Sequence, residues 1–86
     1  MTQTKKVAIY TTPTCTYCRQ TKEFFKTQGV NYDEYDVVTD IPRRQEMIDK
    51  SGQMGVPVIT VSDPDGANEE VVIGYGRSRL AKLLGV

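Results

Sequence analysis

The sequence predicts an α/β protein in which a four-stranded mixed sheet is flanked by three helices, in the order β-α-β-α-β-β-α. Three observations support this class. Two strand–helix units follow one another in the first half, and the right-handed connection between such units makes their strands parallel. The second half has two strand-like segments joined by the turn sequence Asp63-Pro-Asp-Gly, and then a short apolar helix. The 86 residues suffice for one small domain, residues 1–86.

The first half of the chain carries clear helix and strand signals. The predicted elements are a strand at Lys5–Thr11, a helix at Thr16–Gln28, a strand at Tyr32–Val38 and a helix at Arg43–Ser51. Gly29 is predicted as the C-cap of the first helix and Gly52 as the end of the second, because glycine adopts the left-handed conformation of a helix end without strain. Asp40 is predicted as the N-cap of the second helix, with Pro42 in its first turn.

The second half predicts a hairpin and a terminal helix. The predicted elements are strands at Val56–Val61 and Glu69–Ile73, antiparallel across the turn, and a helix at Arg77–Leu84. Gly74-Tyr-Gly separates the last strand from that helix. Leu80, Leu83 and Leu84 have helical spacing, which predicts that they face the core.

Composition and charge exclude several function classes. The chain has 11 basic and 11 acidic residues, so it lacks the basic footprint of a nucleic-acid binder. No segment approaches the roughly 20 apolar residues that span a bilayer. The first residues include two lysines but no apolar signal core behind them. We therefore expect a soluble cytoplasmic protein.

Cys15 and Cys18 are the only cysteines, and they lie at the predicted start of the first helix. In a reducing compartment such a pair is more often catalytic than a structural cross-link. Residues three apart on a helix have Cβ atoms about 5–6 Å apart, so slight tightening permits a reversible disulfide. The helix start favours the thiolate of Cys15. We expect Cys15 to attack a substrate disulfide and Cys18 to resolve the mixed disulfide.

A zinc site is the first alternative for the pair. Structural zinc normally takes four protein ligands, and the chain has no histidine and no third cysteine. A zinc site within one chain is therefore disfavoured, and no metal site is predicted.

Three segments together resemble glutaredoxins and, more generally, the thioredoxin fold. They are Tyr10 to Cys18 with its Cys-Thr-Tyr-Cys, then Gly55-Val-Pro-Val, and then Gly74-Tyr75 before the last helix. The resemblance covers nearly the whole chain. It implies a thiol–disulfide oxidoreductase that acts as a monomer, without a bound cofactor, on disulfide-containing proteins or glutathione mixed disulfides. It implies electrons from glutathione or from a thioredoxin reductase.

The resemblance also implies a substrate groove beside the cysteines. The family has a cis-proline at the position of Pro57, and the backbone of Val56 would pair with an extended peptide or glutathione. Tyr17 would flank this groove. Gly74 would allow close approach of the ligand backbone, and Tyr75 is the remaining predicted contact.

Two positions depart from the glutathione-using pattern. Thr12 stands where those relatives usually have a lysine, and Gly76-Arg77-Ser78-Arg79 stands where an aspartate often begins the last helix. The alternative role from another class is a [2Fe–2S] cluster bridged by two chains, which some glutaredoxins hold with glutathione. A redox-inert binding module is a further alternative.

Overall fold

The computed structural model describes residues 5–85, so the interpretation of residues 1–4 as part of an N-terminus without a signal core lies outside the described residues. The elements are β1 at Lys6–Thr11, α1 at Thr16–Thr27, β2 at Asp33–Asp36, α2 at Ile41–Ser51, β3 at Val58–Ser62, β4 at Glu70–Ile73 and α3 at Arg77–Leu84. Their order is the predicted β-α-β-α-β-β-α.

The four strands form one mixed sheet in the order β2-β1-β3-β4. β1 is parallel to β2, as the right-handed connection predicts, and β3 is antiparallel to both β1 and β4. Tyr10 lies between Tyr35 and Val58 in the register, and Val58 pairs with Ile73. This row lies near the end of the sheet at which β1 stops and Cys15 follows. We call this end of the sheet the cysteine end.

Both faces of the sheet are packed against helices. α1 and α3 cover one face, where the buried cluster is Val7, Ile9, Phe24, Phe25, Val30, Ile59, Val61, Val72 and Leu80. The smaller cluster on the α2 face is Tyr10, Val37, Met47 and Val58. Leu80 is buried, and Leu83 and Leu84 pack against the larger cluster, so the predicted inward face of α3 is confirmed.

The end of α1 differs from the prediction by one residue. The C-cap is Gln28, and Gly29 follows it with φ of +68°. The N–H of Val30 donates to the carbonyl of Phe25 at 2.8 Å, and that of Gly29 donates to Lys26 at 3.2 Å. This pair of bonds is a Schellman motif, in which the left-handed residue is the one after the cap.

Three other boundaries differ by two residues, and the starts of β1, β2 and β4 and the end of β3 each differ by one. α2 begins at Ile41 because Asp40, as predicted, caps it through an oxygen that accepts the Arg43 N–H at 3.2 Å. β3 begins at Val58, because the preceding Pro57 has no N–H to donate to the sheet. β2 ends at Asp36, whose carboxylate accepts the Val38 N–H at 2.9 Å and starts a turn.

Candidate active site

The start of α1 positions the two cysteines against each other. A backbone hydrogen bond of 3.3 Å from the Cys15 N–H to the carbonyl of Thr12 closes the turn after β1. Cys15 is the N-cap of α1, with extended backbone, and its sulfur accepts the Cys18 N–H at 3.1 Å. A sulfur at this position meets the unpaired N–H groups of the helix start, which favour negative charge there.

The two thiols differ in their exposure. Both cysteines are free, but Cys15 is partly exposed and Cys18 has 0% of its surface exposed. Burial raises the pKa of the Cys18 thiol, and its hydrogen bond to Cys15 raises it further. A substrate disulfide can therefore reach Cys15. Cys18, buried behind Cys15, stays protonated until it attacks the mixed disulfide.

Thr11 is the residue beside the cysteines that sequence reasoning missed. It ends β1, is 2% exposed, and its hydroxyl lies 3.3 Å from the carbonyl of Thr12. Hydrogen bonds from the Thr11 hydroxyl and the Thr12 backbone lower the pKa of Cys18, against the larger effect of burial. The only sequence signal is its place at the strand end before the Cys-x-x-Cys, since nothing in the sequence shows that its hydroxyl faces Cys18.

The predicted cis-proline is confirmed. The Val56–Pro57 peptide bond is cis, Pro57 is buried, and Val56 is partly buried. The carbonyl of Pro57 accepts the N–H of Gly74 at 2.9 Å, so the structure joins two of the predicted substrate-binding segments. Both lie at the cysteine end, because β3 begins there and β4 ends there.

The two predicted tyrosines have different surroundings. Tyr17 is in the first turn of α1 and is 62% exposed. Tyr75 is partly buried, and its ring lies 6.4 Å from that of Phe24 on the α1–α3 face. The guanidinium of Arg77, the first residue of α3, lies 5.7 Å from the centre of the same Phe24 ring. The binding roles of Tyr17, Val56, Pro57, Gly74 and Tyr75 remain predictions.

Large exposed apolar side chains are concentrated at the cysteine end of the sheet. Within residues 5–85 they are Tyr17, Val38, Ile41, Met54 and Ile73, which we call the apolar collar. All five belong to segments that leave or enter the sheet at the cysteine end: the start of α1, the β2–α2 connection, the start of α2, the segment before β3, and the end of β4. Exposed apolar groups concentrated in one region are typical of a protein-binding surface.

Among the described residues there is neither a metal-binding cluster nor a membrane-spanning helix. Residues 5–85 contain no group of three or more histidine, cysteine, aspartate or glutamate side chains placed to hold a metal ion. Within the same range, none of the helices combines the length and apolar character that a membrane-spanning helix needs.

Comparison with known proteins supports the redox interpretation of the cysteine pair. The glutaredoxin family profile matches residues 7–64. A glutaredoxin-like protein of 8.6 kDa from the rubredoxin operon of Clostridium pasteurianum is 36% identical over 78 residues, which cover 91% of this chain and 96% of that protein. Glutaredoxin 3 of Escherichia coli K12 is 38% identical over 55 residues, or 64% of this chain and 66% of that protein.

Solved structures agree with this result. The crystal structure of the thioredoxin-like protein BC3987 superposes with a TM-score of 0.78 at 34% identity, covering 92% of this chain and 100% of that one. Glutaredoxin grx-1 of Archaeoglobus fulgidus gives a TM-score of 0.74 at 26% identity, covering 91% and 84% of the two chains. The chain therefore belongs to the glutaredoxin family and is a redox protein with the thioredoxin fold.

Proposed function

We propose that this protein is a dithiol oxidoreductase that reduces disulfides, and those of proteins in particular. The observation that carries the proposal is the asymmetry of the pair: Cys15 is accessible at the start of α1, and the fully buried Cys18 lies directly behind it. A two-step exchange needs one thiol that can reach the substrate disulfide and a second thiol that can reach only the first.

The first step of the proposed reaction is attack by the Cys15 thiolate on one sulfur of the substrate disulfide. The substrate S–S bond breaks, a mixed disulfide forms on Cys15, and the other substrate sulfur leaves as a thiolate that takes a proton. In the second step Cys18 loses its proton and attacks Cys15. The mixed disulfide breaks, and the substrate is released with two thiols.

The reaction leaves a Cys15–Cys18 disulfide that a reductant must return to two thiols. Two molecules of glutathione, or a flavin-dependent thioredoxin reductase that uses NADPH, can supply the two electrons. No bound cofactor takes part in either exchange step. A glutathione groove here would lack the lysine and aspartate of its usual pattern, because Thr12 and Arg77 occupy the corresponding positions. Arg77 instead packs over Phe24.

The apolar collar favours a protein substrate over a small polar disulfide. Glutathione has little apolar surface with which to cover Val38, Ile41 and Met54, whereas a protein segment with apolar residues beside its cysteine does. The backbone of Val56 would pair with that segment in the manner of a strand. Tyr17 and Tyr75 would flank it, and Gly74 would leave room for its backbone.

The experiment that tests the proposal follows NADPH consumption with insulin and with hydroxyethyl disulfide as substrates. Each substrate is assayed once with glutathione and glutathione reductase, and once with thioredoxin reductase. We expect turnover of insulin with at least one donor system and none in the Cys15→Ser variant. Turnover of neither substrate with either donor would contradict the proposal.

A bridged [2Fe–2S] cluster is not proposed. No observation on the described residues favours it, and the asymmetric pair is accounted for by disulfide exchange.

A further inference from the structure

A polar hollow of about 250 Å³ lies on the α2 face of the sheet. Ala8, Thr60 and Ser62 line it, and Lys6 is at its edge. Ala8 pairs with Thr60 and Lys6 pairs with Ser62 in the register of β1 and β3, and paired residues share a face of the sheet. The hollow extends along this face from Lys6 and Ser62 to Tyr10 and Tyr35, which also line it.

The lining of the hollow is polar, although the sheet beneath it is buried. Thr60 is 5% exposed and Ser62 is 6% exposed. α2 contributes charged side chains here, namely Arg43, Glu46 and Lys50. Hydroxyl groups can donate hydrogen bonds to a polar occupant, so a cavity lined by them suits a polar occupant rather than an apolar one.

Both carboxylates of the hollow already have cationic partners. Glu46 lies 2.8 Å from Arg43 and 3.3 Å from Lys50, and Glu69 lies 2.9 Å from Lys50. Burial alone would raise the pKa of Glu46, but the hydrogen bonds from Arg43 and Lys50 together lower it, so this carboxylate stays ionised. Neither acidic group is left to attract a cation.

The remaining charge in the hollow is positive. Its lining has three cations, Lys6, Arg43 and Lys50, against two carboxylates. Lys6 makes no ion pair with any residue between 5 and 85. The ammonium of Lys6 and the hydroxyls of Ser62 and Thr60 therefore form a group of donors on one face of the sheet, with Lys50 facing them from α2.

We propose that this hollow binds a phosphate group, either inorganic phosphate or the phosphate of a small monoester. A tetrahedral phosphate has enough acceptor oxygens for Lys6, Ser62, Thr60 and Lys50 together, whereas a planar carboxylate has only two oxygens. The volume exceeds that of one phosphate, so a small attached group also fits. Neither cysteine is among the described residues that line the hollow, and the proposal does not depend on the proposed disulfide chemistry.

The test is an NMR titration of the reduced protein with inorganic phosphate at constant ionic strength. We expect saturable shifts of the backbone amides of Lys6, Thr60, Ser62 and Gly66, and none at Cys15. A parallel titration with glycerol phosphate distinguishes the two sources. Tighter binding of glycerol phosphate identifies a monoester as the ligand, and equal or weaker binding identifies inorganic phosphate.

Variants make the assignment specific. Lys6→Met should weaken phosphate binding by about tenfold, because it removes a charge-assisted hydrogen bond. Ser62→Ala should weaken it less. The matched control is Lys26→Met, which removes an exposed lysine of α1 outside the hollow and should leave the affinity unchanged. Thermal unfolding checks that each variant is folded. Shifts that do not saturate, or equal affinity in Lys6→Met and native protein, would overturn the proposal.

Discussion

Cys15 and Cys18 are chemically identical side chains three residues apart, but α1 gives them different surroundings. The first lies at the helix N-cap, where its sulfur accepts a backbone N–H, and the second is enclosed by the core. The spacing in the sequence predicts that both lie on one side of the helix start. The sequence does not show their unequal exposure, because the burial of Cys18 arises from packing in the folded protein.

Thr11→Val tests the contact between the Thr11 hydroxyl and Cys18. The Thr11 hydrogen bond lowers the pKa of Cys18, so removing it should raise that pKa and leave less thiolate at neutral pH. With a chromogenic aromatic disulfide, attack by Cys15 and closure by Cys18 release dye in two phases. We expect the second phase to slow about tenfold at neutral pH, because hydrogen bonds to charged groups are strong, and its midpoint to move to higher pH.

Two further variants separate this effect from general destabilisation. Thr11→Ser keeps the hydroxyl and should retain the native second phase. Thr21→Val removes another fully buried hydroxyl, which donates to the carbonyl of Tyr17 at 2.8 Å and is not among the groups that shift the pKa of Cys18. If Thr21→Val slows closure as much as Thr11→Val does, the Thr11 hydroxyl has no specific role.

At the scale of the elements, the sequence predicts the number, type and order of helices and strands, and their ends less well. The signals that predict each helix and strand are local in the sequence. They include glycine after α1 and α2, aspartate before α2, and a Pro-Asp-Gly turn between β3 and β4. The ends of the elements depend on which backbone N–H group donates to which acceptor. Asp36 stops β2 through its own side chain, and Pro57 delays β3 because it has no N–H.

The N-cap of α2 is the element-scale contact that is simplest to measure. Asp40→Ala removes the acceptor of the Arg43 N–H and should lower the free energy of unfolding by about 0.5–2 kcal/mol. The matched control is Asp49→Ala, an exposed position on the same helix whose carboxylate accepts a hydrogen bond from Gln45. Urea unfolding of both variants measures the difference, and equal losses would show that the cap contributes nothing specific.

At the scale of the whole molecule, the sheet register determines which residues lie close together. The apolar collar combines residues from Tyr17 to Ile73, and the polar hollow combines Lys6 with Ser62. These residues are far apart in sequence and lie together because β1 pairs with both β2 and β3, and β3 pairs with β4. The sequence could therefore predict the cysteine pair and the cis-proline, through the motif and the family resemblance. It could not predict either surface.

Met54→Gln tests whether the apolar collar binds protein substrates. Met54 is 60% exposed in the segment before the cis-proline. We expect kcat/KM for insulin to fall about fivefold, in line with the loss of roughly 1 kcal/mol for an interface side chain. The kcat/KM for hydroxyethyl disulfide should not change, because that substrate is too small to cover the collar. An equal fall for both substrates would show that Met54 affects the cysteines rather than docking.

The central claim, that Cys15 attacks and Cys18 resolves, is tested most directly by trapping. The Cys18→Ser variant is incubated with hydroxyethyl disulfide, and the intact mass and the modified peptide are determined by mass spectrometry. We predict one stable hydroxyethylthio adduct on Cys15, and no adduct on Cys18 in the Cys15→Ser variant, since Cys18 is buried. An adduct on Cys18 in Cys15→Ser, together with an unmodified Cys15 in Cys18→Ser, would contradict the account.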